Sequence, residues 1–132
     1  NQFKKSQNIK LNDILFVNDG TFLIGRTAMV TQQDIKIVIQ SHIKKLRVEN
    51  PQLLNPFYFF YLLNSKIVKK QILSKTFVQA TISTIGNRIK EIILPISKNQ
   101  KEILKISKEI KNIIIEKSKL REKTVKIIDD SV

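Results

Sequence analysis

The sequence predicts an α+β fold: a small mixed or antiparallel β-sheet domain with one packed helix, followed by a long C-terminal helix of coiled-coil type. Three observations predict it. Residues 9–48 carry short β-branched runs separated by turn residues. Asn55-Pro56 opens an aromatic-rich stretch with helical spacing. From residue 98 onward, apolar residues recur at alternating intervals of three and four. The chain therefore divides into a domain over residues 1–97 and a spacer or docking helix over 98–132.

Within the first part, Asp13 to Val17 is a short apolar run, and Asn18-Asp19-Gly20 after it suits a tight turn. Thr21 to Val30 continues as a strand interrupted at Gly25, a position for a bulge or a close backbone approach. Ile35 to Ile39 and Ile43 to Val48 alternate β-branched and basic residues, so each should bury one face and show Lys or Arg on the other. Asn55 as N-cap with Pro56 at the first helical position starts a helix expected to run to about Leu73. Phe57, Phe60, Tyr61, Leu63, Ile67, Val68 and Ile72 would form its inward face. Residues 74–88 read as a polar connection with a short helical turn, and Ile89 to Ile96 as a final strand closed by Pro95.

The tail has the plainest pattern. Ser97-Lys98-Asn99-Gln100 is a capping box, and a helix over 98–128 would be a rod of about 47 Å. Ile103, Ile106, Ile110, Ile113, Lys117, Leu120, Thr124 and Ile127 trace a heptad seam. Ile103, Ile106, Ile110, Ile113, Leu120 and Ile127 are expected to dock against a helix from outside the domain, most simply a second copy of the chain.

Composition narrows the chemistry. The 132 residues carry 24 Lys and Arg against 11 Asp and Glu, a formal charge of +13. Such an excess favours a polyanionic partner, nucleic acid first and an anionic membrane surface second. The excess is spread along the chain, so no basic tail accounts for it. Ile, Lys and Asn supply 53 of the 132 residues, a bias that an AT-rich genome also produces. Cys is absent, which removes disulfides and thiolate metal sites, and the single His42 leaves little for a His-based site. No apolar run reaches the length of a membrane span and no secretory leader is visible, so a cytoplasmic location is expected. The chain begins at Asn1 without a Met and is expected to be a piece of something larger.

Catalytic patterns are weak. Asn55-Pro56-Phe57-Tyr58 is one residue away from the Asn-Pro-Pro-Tyr/Phe motif of amino-methyltransferases, but it sits at a helix start and no glycine-rich cofactor loop accompanies it. Glu49 and Glu91 lack the Lys two residues on that a metal-dependent nuclease would need. Ser41 and His42 are neighbours in an expected strand and point to opposite faces. What remains is a basic surface. Lys36, Lys44, Lys45, Arg47, Arg88 and Lys90 fall on the expected strands or at their ends, where Lys suits phosphate and Arg suits base edges.

Several segments in order resemble the target recognition domains of type I restriction–modification specificity subunits. Leu11 to Thr21 with Ile24-Gly25-Arg26 is similar to the family's Gly-Asp-Ile-Leu segment and the Gly-Thr turn after it, with Asn12 in place of the Gly. Ser41-His42-Ile43 with Leu46-Arg47-Val48 looks like its paired strand. Asn55-Pro56 with Tyr58, running to Leu62-Leu63-Asn64-Ser65, resembles its Asn-Pro-x-Tyr helix. Gln79 to Ser83, then Ile93-Leu94-Pro95-Ile96 and Gln100, resemble its ending before a long helix, with Ser97 where the family has a second Pro. The family's domain begins earlier, with further strands that this chain is expected to lack. The same module occurs fused to adenine-N6 DNA methyltransferases and in single-chain restriction enzymes.

The resemblance implies a non-catalytic module that sets which DNA sequence is modified. Its partners would be double-stranded DNA, a DNA methyltransferase subunit or domain and a restriction subunit. S-adenosylmethionine and magnesium would belong to those partners, with no cofactor here. The candidate DNA-binding residues are Asn18, Thr21, Arg26, Lys36, His42, Lys44, Lys45, Arg47, Gln79 and Arg88. Two rivals stay open: an assembly domain that dimerises through its C-terminal helix, its charge incidental, and the C-terminal piece of an adenine-N6 methyltransferase.

Overall fold

A computed structural model describes residues 7–20, 23–79 and 82–131, with the side chain of Gln79 outside the description. The fold is α+β. Ile14–Val17 (β1) is the central strand of a three-stranded antiparallel sheet, flanked by Thr27–Met29 (β2) and Ile43–Leu46 (β3). The strict alternation of β1 decides its orientation, because Ile14 and Phe16 are fully buried while Leu15 and Val17 are half-buried. Against Ile14 and Phe16 pack Met29, Leu63, Val68, Ile72 and Ile85, which together form the core.

The residues expected to form one helix from Pro56 to Leu73 form two. Pro56–Leu63 (α1) starts as the sequence indicates, with the Asn55 side chain accepting from the Phe57 and Tyr58 N–H groups at 2.8 and 3.3 Å. It stops because Asn64-Ser65 is a second capping site. The Asn64 amide donates to the Phe60 carbonyl at 2.8 Å, and Ser65, in extended backbone, caps Lys66–Lys75 (α2). The break lets α2 turn Val68 and Ile72 into the core while Ile67 stays exposed.

Four further segments depart from expectation. Ile35 to Ile39 is not a strand. Asp34 accepts from the Thr31 N–H and hydroxyl at 2.9 and 2.8 Å, which closes a 3-10 turn over Gln32–Asp34, and Gln7 then pairs with the backbone of Ile39 through its side-chain amide. The 74–88 connection is a hairpin of Phe77–Gln79 (β4) and Ile82–Thr84 (β5). Ile89 to Ile96 is a 3-10 turn over Gly86–Glu91 followed by an extended segment, whose Ile93 N–H and C=O are both taken by the Gln71 side chain at 2.7 Å. A strand-like pattern there finds a glutamine instead of a neighbouring strand. The expected Thr21–Val30 strand is shorter, because Gly25 at φ +88 turns the chain before β2.

Gln100–Asp130 (α3) is the long helix, about 46 Å in length. Its cap is Asn99 rather than the Ser97 box: the Asn99 side chain accepts from Lys101 and Glu102 N–H at 3.0 and 3.3 Å. Ser97 instead receives Asn99 N–H and donates to Glu102. Its chief neighbour in the fold is α1. Ile103, Ile106, Ile110 and Ile114 are half-buried and Ser107 is buried, the small side chain fitting the crossing. Farther along, Ser118 receives Gln33 and Arg121 pairs with Asp34 at 2.8 Å. No helix among the described residues is long and apolar enough to cross a membrane.

Candidate nucleic-acid interface

The cations of β3 are bound into the fold. Lys44 Nζ donates to the Gly86 carbonyl at 2.9 Å, and Lys45 Nζ donates to the carbonyls of Gln7 and Asn8. Arg47 holds Asp13 with two N–H groups, each at 2.7 Å, and reaches the Asn8 carbonyl as well. Burial pushes the Asp13 pKa upward, but hydrogen bonds from Arg47 and the Lys10 N–H, together with the Arg47 and Lys45 charges, outweigh it. The carboxyl stays below its usual range. These three cations tie the sheet to the segment before it and to the Gly86 turn.

Asn18 is also internal. It is 7% exposed, its N–H donates to the His42 carbonyl, its carbonyl accepts from Ile85 N–H, and its side-chain amide reaches Thr84. It joins the end of β1 to the start of β3 and to the hairpin, so its side chain faces protein instead of solvent. His42 is half-buried beside it. Thr21 and the Gln79 side chain lie outside the described residues. Lys36 is exposed after the 3-10 turn, and Arg88 is exposed with Glu91 at 3.4 Å.

Arg26 is different. It is exposed on the turn into β2 and lines, with Lys69, a depression of about 200 Å³ floored by Ile24, Gly25 and Ile72. Lys66, Lys69 and Lys70 are all exposed and share one face of α2 by their spacing of three and four. Arg26 and Lys69 bring together two segments far apart in sequence. Reading residues 56–73 as a single inward-facing helix hides the α2 lysines, although their spacing is there to see. Among the described residues no cluster of His, Cys, Asp or Glu is arranged to hold a metal ion.

A family profile described as the type I restriction modification DNA specificity domain matches residues 1–124. The chain belongs to this family. No curated protein gives a significant match. The match runs through the sheet, both short helices and most of α3, so the long helix belongs to the specificity domain along with the sheet. Membership gives the chain a target-recognition role in type I restriction–modification. DNA and the methyltransferase and restriction subunits are the partners that such a system implies.

The six helix-docking residues fall into two groups in this specificity domain. Ile103, Ile106 and Ile110 are half-buried on the side of α3 that meets α1, whereas Ile113, Leu120 and Ile127 are 53%, 62% and 70% exposed. The reason is geometric. A straight helix meets a neighbour along a line of 3.6-residue period, here Ile103, Ser107, Ile110, Ile114, Ser118 and Arg121. A seven-residue line drifts off it by about 20° per heptad.

Proposed function

We propose that this specificity domain binds duplex DNA through the face formed by Arg26, Lys66, Lys69 and Lys70, with Lys36 and Arg88 adding to the positive field. One observation carries the reading: Arg26 and Lys69 line the same depression, both exposed to solvent, while Lys44, Lys45 and Arg47 are half-buried and hydrogen-bonded to the protein. Phosphate binding asks for charge without fixed geometry, which lysines on a helix face supply, and the Arg26 fork can address a base edge or a phosphate. Residues 98–132 act as spacer and docking rod. The exposed Ile113, Leu120 and Ile127 receive a helix of a second copy or of a methyltransferase subunit.

The test is duplex binding across a salt series with the whole chain. Replacing Arg26, Lys69 and Lys70 by Gln should flatten the slope of log K against log salt by up to about 2.7, at about 0.9 for each phosphate no longer neutralised. Lys44→Gln should leave that slope alone. An affinity insensitive to salt, or a triple variant that binds like the parent, would remove this face from consideration.

A further inference from the structure

We infer that the outer side of α3 is a second binding surface for the backbone of duplex DNA, separate from the face around Arg26. The inference rests on the DNA-binding reading above. Lys101, Lys105 and Lys108 are spaced four and three apart, and Lys119, Lys123 and Lys126 repeat that spacing 18 residues later. Eighteen residues are about five full helical turns, so the two triads project in the same direction. All six lysines are exposed. Among the described residues none of them has a carboxylate within ion-pairing distance.

The helix has three sides with three uses. Ile103, Ser107, Ile110 and Ile114 take the domain. Ile113, Leu120 and Ile127 form the exposed apolar stripe, bordered by Glu109 and Glu116. The lysine triads lie beyond that border, so a helix docked on the apolar stripe leaves them in water. Glu109 and Glu116 are turned toward the docked helix and the six lysines toward the open side, where Glu122, Asp129 and Asp130 share a depression with Lys126 at the far end.

The family's DNA-targeting role selects duplex DNA over a generic acidic partner. Equivalent lysines of the two triads stand about 27 Å apart along the rod, and the six together cover about 37 Å, the length of about 11 base pairs. A rod lying along a duplex presents both triads to backbone phosphates, with Asn112 and Ile115 between them where the lysine spacing is interrupted. Flexible ammonium groups at both ends neutralise phosphates without reading sequence.

The experiment compares the whole chain with a variant in which Lys119, Lys123 and Lys126 are replaced by Gln, on a duplex of about 30 base pairs. The variant should bind it roughly tenfold more weakly and lower the salt slope by up to about 2.7. Replacing the same lysines by Arg should restore the slope, and it keeps the test decisive if the Gln variant loses helicity. An unchanged slope in the Gln variant overturns the inference while leaving the Arg26 face standing, provided the Arg26, Lys69 and Lys70 variant still loses binding. Loss in neither variant overturns both. Lysine-dependent binding of polyglutamate as tight as that of the duplex makes the stripe a surface for acidic proteins, and overturns the assignment to DNA.

Discussion

Arg47 grips the carboxylate of Asp13 with two N–H groups at 2.7 Å, at a point where Asp13 is 1% exposed. The pair stands at the junction of β1 and β3, and its role is to close the sheet. Removing the guanidinium leaves a buried carboxylate with the Lys10 N–H as its remaining hydrogen-bond donor and the Lys45 charge nearby. Arg47→Met should therefore cost about 3 kcal/mol of unfolding free energy, read from urea denaturation. Lys36→Met, on an exposed segment, should change stability by less than about 0.5 kcal/mol. Equal effects of the two would remove the structural role of the pair.

The same carboxyl gives the fold an acid limit. Asp13 has a folded pKa below its ordinary 3.8. A depressed carboxylate contributes stability that is fully present above the unfolded value and is lost as pH falls through the folded one. Stability should hold from neutrality down to about pH 4 and decline below it. In Asp13→Asn that portion of the decline should be missing and the neutral-pH stability lower, as measured by chemical denaturation at about pH 7 and about pH 3. A variant with the parent's full acid dependence would contradict this account.

Gly25 should resist replacement. Its φ is +88, and an added Cβ would stand 3.2 Å from the Ile72 Cγ2 atom in the core. Gly25→Ala combines backbone strain with a tight approach and should destabilise by about 1–3 kcal/mol. It should also disturb the Arg26 face, because the same turn aims Arg26 toward Lys69. Thermal denaturation and duplex binding, measured together, check both effects.

The exposed stripe on α3 predicts association. Sedimentation at tens of micromolar should give a dimer, and Leu120→Asp with Ile127→Asp should return it to a monomer with its fold intact. Ile110→Asp should behave differently, because Ile110 packs on the chain's own domain, and should lower stability instead. A parent that sediments as a monomer, with unchanged solubility in the Asp variants, would leave the stripe without this partner.

Alternation locates β1, the Asn55 cap locates the start of α1 and the apolar repeat locates the long helix, because each rests on neighbouring residues. What escapes is decided by side chains reaching across the fold. Gln71 pairing with Ile93 and Gln7 pairing with Ile39 replace strand partners, and no local pattern announces them. Asn64-Ser65 is readable as a cap, but the apolar spacing runs through it. For the interface, the sequence points to Arg26 and to the charge. It turns Lys44, Lys45 and Arg47 outward because alternation tells which side of a strand a residue is on, and not what meets it there. Asn18, expected at the DNA surface, is a buried junction between β1, β3 and the hairpin.

The path from α2 into α3 has a mechanical character. Between Glu91 and Gln100 the chain is held by the two bonds from Gln71 to Ile93 and by the Ser97 N–H on the Tyr58 hydroxyl, and the far half of the rod is fastened by Arg121 on Asp34. These fastenings act as a bracket with one pin near the pivot and another along the arm. Exchanging a pin would re-aim the arm while the core of Ile14, Phe16 and Ile72 stays as it is. The angle between the face that meets DNA and whatever sits at the end of the rod can thus be tuned by a few polar substitutions, independently of the residues that do the reading.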